Sequence, residues 1–170
     1  MSIKLLGAVL IILSCGGVGY KICLAHKQEV AALRQLVAAL DYMGCELQYR
    51  VTPLPELCRE TAGACSGPVG KLWLNLAGEL EGQVLPNAKA CMVSAVASTK
   101  GLPDKTKAQL LHLGASLGHF DLKGQLQGIE WARQRCRKEL ESLTKDQSAR
   151  LRSYQTLALC AGAALAIIFV

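Results

Sequence analysis

Hydrophobic positions along this chain follow two arrangements: unbroken blocks at the ends, and three- and four-residue steps between them. Ile3 to Leu24 is almost wholly apolar or small, with Lys4 and Lys21 near its edges. Tyr154 to Val170 is seventeen residues without a charge. A helix crosses a hydrocarbon core about 30 Å thick with roughly 20 apolar residues at about 1.5 Å each. The first block meets that length and the second just does. Both are expected to be transmembrane anchors, at residues 1–24 and 153–170, flanking a central domain at 25–152.

Between the blocks every periodic signal is helical, and none alternates as a strand would. Val30, Leu33, Val37, Leu40, Gly44, Leu47 and Val51 form one apolar seam. Nothing separates it from the first block, so one helix is expected to run through both. The residue before a proline is pushed out of the α region, so Arg50-Val51-Thr52-Pro53 ends that helix. Thr52 as N-cap, Pro53 at the first helical position and Leu54 after it are expected to open a second, short helix to about Thr61. Gly63 to Gly67 breaks the chain, and Pro68 opens a third helix carrying Val69, Leu72, Trp73, Leu76 and Leu80. Pro86 is expected to start a fourth, burying Cys91, Val93 and Val96. Gly101-Leu102-Pro103 precedes a fifth, with Asp104 at the positive end of its dipole, burying Leu110, Leu111, Leu113 and Leu117 before Gly118 stops it. Asp121 begins the last helix, whose seam is Leu122, Leu126, Ile129, Cys136, Leu140, Leu143 and Leu151. The expectation is one compact all-α bundle of about six helices. Gly44, Gly78, Gly114 and Gly128 lie inside helices despite a cost of about 1 kcal/mol each against Ala, which points to close helix–helix approach.

Charge gives the anchors a direction. Lys21, Lys27 and Arg34 follow the first block, and Lys145, Arg150 and Arg152 precede the second. Excess Lys and Arg belong on the cytoplasmic side, so the central domain is expected to be cytoplasmic and both termini to face away. The rival reading of the first block is a lipoprotein signal with Cys15 as the lipidated residue. Leu13, bulky for such a box, and the apolar run continuing past Cys15 argue against it.

The net charge of +6 does not make the chain a nucleic-acid binder. Arg133, Arg135, Arg137 and Lys138 fan around a helix, within reach of Glu130, Gln134 and Glu141 at helical spacing, and stacking aromatics are nearly absent. The eight cysteines include no C-x-x-C pair, so zinc and a disulfide framework are not indicated. They read as small buried hydrophobes of a reducing compartment. No phosphate-cradling loop, H-E-x-x-H or G-x-S-x-G occurs. Glu79 and Glu81 fall on different helix faces, where an acid–base pair must converge. No cofactor is expected, and the chain reads as a non-enzyme.

Leu33-Arg34-Gln35-Leu36, Ala39-Leu40 and Glu46-Leu47-x-Tyr49-x-x-Thr52-Pro53-Leu54 resemble the first half of the stage III sporulation protein AB family. Leu110, Leu113-Gly114 and Leu117-Gly118-x-x-Asp121-x-x-x-Gln125-x-x-Ile129 resemble its second half, and the resemblance spans the chain. It departs at Phe120, where the family usually places Ser or Thr to cap the last helix. The resemblance implies a part in endospore formation, within the assembly linking mother cell and forespore. The family is similar to inner-membrane platform proteins of type II secretion and type IV pilus machines, whose cytoplasmic bundles face a secretion ATPase. Expected partners are therefore the membrane, the other stage III sporulation A-operon proteins and their secretion-type ATPase, and no nucleic acid; a homo-oligomer stays open. The expected location is the mother-cell membrane facing the forespore. A membrane-anchored helical adaptor or signalling domain is the alternative. Glu46, with Arg50 four residues on, is the candidate partner contact, its alternative being a surface helix pair. Asp121 and Gln125 are a second candidate pair, with a helix cap and its neighbour as the plainer reading.

Overall fold

The computed structural model describes residues 2–50, 52–83, 85–117 and 122–145, with Thr156 and Cys160, and their side chains from Tyr20 onward. Among these residues all regular structure is helical: α1 (Ser2–Tyr49), α2 (Leu54–Ala64), α3 (Gly67–Gly82), α4 (Ala88–Ser98), α5 (Asp104–Ser116) and α6 (Leu122–Lys145). The chain separates into two units, residues 29–141 and residues 1–28 with 142–170. The candidate site and the core described below lie in the first.

α1 runs unbroken from the apolar block into the periodic seam, as the absence of any breaker between them requires. Among the described residues no helix is long and apolar enough to cross a membrane. The side chains of the first apolar block up to residue 19 lie outside the described set, as does the second block apart from Thr156 and Cys160. The two expected transmembrane helices are thus without support from the fold. The Gly118 stop, Asp121, Phe120 and Leu151 also lie outside the described residues.

Prolines set the breaks, with the caps shifted slightly from their expected places. The N-cap of α2 is Pro53, not Thr52, with no side-chain cap bond and a second proline in the first turn. α3 carries Pro68 in its first turn. α4 starts two residues beyond Pro86, because Asn87 takes the cap and its Oδ1 accepts from the Ala90 amide at 2.8 Å.

Successive helices α2 to α5 pack on one another in chain order. Leu33, Leu36, Leu40 and Met43 of α1 join Leu57, Leu72, Trp73, Leu76, Met92, Leu110 and Leu113 in the core. Each such side chain contributes roughly 1.5–3 kcal/mol when removed from water. The seam expectation fails at three places: Val93, Leu111 and Leu122 are exposed, and on α4 it is Met92 that turns inward. Two glycines permit close crossings. A Cβ on Gly114 would sit 2.6 Å from Met92 Cβ, and one on Gly128 would sit 2.8 Å from Ser116 Cβ. A Cβ on Gly44 would make only an ordinary contact with Ile129 Cγ2, at 3.8 Å, and one on Gly78 would meet open space. Close approach is therefore not the reason for those two.

α5 and α6 run antiparallel. Ser116 lies over Gly128 at one end, and Lys105 Nζ donates to Glu139 Oε1 at 2.7 Å at the other.

Candidate functional site

The end of α1 and the start of α2 bring most of the candidate residues into one corner. Tyr42, Glu46 and Arg50 recur at four-residue steps and so share a helix face. Tyr42 Oη donates to Glu60 Oε2 of α2 at 3.3 Å. Partial burial, with the Glu46 and Glu60 carboxylates nearby, holds that hydroxyl's pKa above the usual phenol value. Pro53 closes the corner by accepting the Leu57 amide at 2.9 Å, with Thr52 and Leu54 half-buried on either side.

Glu46 is more covered than a surface helix residue, with its side chain only 18% exposed. Its Oε2 is buried without a hydrogen-bond partner. Arg50 Nη1 stands 3.6 Å away, beyond hydrogen-bond distance, so the pair is electrostatic only. The arginine side chain is itself 70% exposed and open to other partners. A buried acceptor left unmade costs about 1–3 kcal/mol. Tyr49, exposed beside this corner, adds an aromatic rim. Of the second candidate pair, Gln125 is half-buried on α6 and Asp121 lies outside the described residues.

The basic cluster on α6 is only partly self-paired. Glu130 binds Arg133 and accepts from Gln134 Nε2 at 3.0 Å, as helical spacing requires. Arg133 also reaches across to α1, donating from Nη1 to Asp41 Oδ1 at 2.7 Å. Arg137 reaches the same carboxylate, pairing with Asp41 Oδ2 at 3.2 Å. Sequence reading missed Asp41 because its partners lie 92 and 96 residues away. No local spacing could have shown them.

The two carboxylates weighed for acid–base chemistry are engaged separately. Glu81 accepts both contacts of Arg59 Nη2, at 2.6 and 2.7 Å, while Glu79 Oε1 accepts from Ser94 Oγ at 2.7 Å. Burial pushes the Cys58 thiol up to about 12 and that of Cys136 up to about 11, so both behave as core hydrophobes. Cys45, expected to be buried with them, is exposed.

The profile of the family described as stage III sporulation protein AB matches residues 4–170. The chain is 28% identical over 133 residues to "Stage III sporulation protein AB" of Bacillus subtilis (strain 168), covering 76% of this chain and 77% of that relative. A solved structure titled "Stage III sporulation protein AB" shares the fold with a TM-score of 0.64 at 24% identity. The match covers 72% of this chain and 98% of that one.

Proposed function

The chain belongs to the stage III sporulation protein AB family, which gives it a role in sporulation, and from that premise we propose that it is a membrane platform of the assembly joining mother cell and forespore. Residues 1–24 and 153–170 act as the anchors and residues 25–152 stand in the mother-cell cytoplasm. The α1–α2 corner docks a secretion-type ATPase. The apolar end blocks with their Lys and Arg flanks support the anchoring. The observation that carries the docking role is Glu46: a mostly covered carboxylate with an oxygen that accepts no hydrogen bond, beside an exposed arginine. A partner donor entering here would satisfy a bond the isolated fold leaves unmade.

The test uses two substitutions, because charge reversal at so covered a position disturbs the fold as well as an interface. Glu46→Gln keeps the size and removes the charge, while Glu46→Lys reverses it. Disrupting an interfacial charge contact can cost about 2–5 kcal/mol. Both variants are expected to lower sporulation after engulfment, by about tenfold or more for the reversal, with the Gln variant folded and membrane-bound. Co-purification of the ATPase from sporulating cells should fall in parallel. Normal sporulation with either variant at native expression removes the docking role. Topology is tested separately, with a membrane-impermeant thiol reagent on intact protoplasts. Labelling of exposed Cys45 without lysis, or a mature protein beginning at lipidated Cys15, overturns the two-anchor reading.

A further inference from the structure

The outward face of α6 opens onto a cleft of about 340 Å³ against α5. Trp131, Arg135 and Lys138 recur at steps of four and three, so they form one stripe along α6. Gln109, His112 and Ser116 face them from α5. Trp131 is 61% exposed although it is the largest apolar side chain on this helix. Arg135 and Lys138 make no ion pair among the described residues, while Arg133 and Arg137 on the opposite face share Asp41. Among the described residues no carboxylate lines the cleft. One helix thus carries two sets of cations, one neutralised within the fold and one left facing a slot with an exposed tryptophan.

We propose that this cleft binds a short acidic segment of a partner protein, with an apolar side chain against Trp131 and carboxylates on Arg135 and Lys138. Trp and Arg are enriched among the residues that dominate protein interfaces, and unpaired cations recognise acidic motifs. Gln109, His112 and Ser116 supply further polar groups along one wall, suited to a peptide's repeating amides. A nucleic acid would need a series of stacking platforms, and among the described lining residues only Trp131 and His112 carry aromatic rings. The proposal does not depend on the platform role, because it concerns a different face and is tested by direct binding.

The probe is a dye-labelled synthetic peptide of glutamates around a central leucine pair, titrated by anisotropy against the full chain in neutral detergent. Saturable binding is expected, weakening as salt is raised. It should accompany a blue shift in Trp131 emission, since Trp73 is already fully buried. Arg135→Glu combined with Lys138→Glu should weaken binding about tenfold or more. Lys71→Glu with Lys100→Glu, which makes the same change in net charge elsewhere, should leave it unaltered. Trp131→Ala should weaken it while circular dichroism stays unchanged. Equal loss in both charge-reversed pairs, or equal binding of polyglutamate without leucine, reduces the effect to bulk charge and overturns the proposal. So does absence of saturable binding. Capture of anionic lipid vesicles by the cleft in place of the peptide, or self-association abolished by the Arg135 and Lys138 reversals, also overturns it in favour of that occupant.

Discussion

The two faces of α6 are built from similar residues and put to opposite use. Toward α1, Ile129 and Cys136 are buried while Arg133 and Arg137 close on Asp41. Toward α5, the same helix leaves Trp131, Arg135 and Lys138 uncovered. The number of cations on a helix does not say which side is open. Carboxylates decide it: Asp41 of a distant helix, with Glu130 of α6 itself, offsets the cations of one face and leaves the other its field.

The contrast breaks most easily at its apolar end. Ile129 is 2% exposed, and Ile129→Ala should cost about 2–5 kcal/mol through lost transfer energy and the cavity left behind. Urea unfolding followed by circular dichroism measures it. A loss no greater than that of an exposed position would mean the inner face is not a packed seam.

Alkali should reveal the same face. An unfolded thiol ionises near pH 8.5, whereas Cys136 and Cys58 are held at about 11 and about 12 in the fold. Above pH 8.5 the unfolded chain releases protons that the native chain keeps. Their contribution is therefore complete below that pH and is lost as pH rises toward the folded values, at about 1.4 kcal/mol per unit for each thiol. Stability should fall by roughly 2 kcal/mol per thiol by pH 10, and Cys136→Ala should flatten the decline. An unchanged slope would place Cys136 in contact with solvent.

Asp41→Asn tests the electrostatic half of the seam. The three side chains are a third to a half exposed, so the loss is limited to about 1 kcal/mol by solvent screening and should shrink at high salt. No salt dependence would argue that packing alone joins α1 to α6.

The smallest effect belongs to the open face. Trp131→Ala should alter stability by no more than about 0.5 kcal/mol, as at an ordinary surface position. A core-sized loss would show that Trp131 closes the fold, and the contrast between the faces would disappear.

Much of this architecture is legible in the chain because prolines and glycines punctuate it and α2, α3 and α6 are amphipathic. Among the described residues the structure agrees on six helices, on an unbroken α1 and on most of the core. Caps move by a residue or two where Asn87 outcompetes its neighbour. Leu111 is misplaced because steps of three and four leave the adjacent Leu110 and Leu111 ambiguous until a neighbouring helix fixes the rotation, and Leu122 because it is the first residue of its helix. The candidate site is legible only as a location. Spacing gives Glu46 its Arg50, but its burial depends on how α2 folds back at Pro53. The link from Asp41 to Arg133 and the open cleft depend on which helices become neighbours, and that information is long-range.

The Lys105–Glu139 bridge and the Ser116–Gly128 contact turn the slot into a ruler. On each helix these tie points are eleven residues apart, close to three full turns, so they return to the same face of both helices. The two ties stand about 16 Å from each other along the helices. That span matches about five residues of extended chain. For the acidic segment proposed above, the helix pair thus sets a preferred length as well as a charge, and a longer segment would have to leave the slot at one of its two ends.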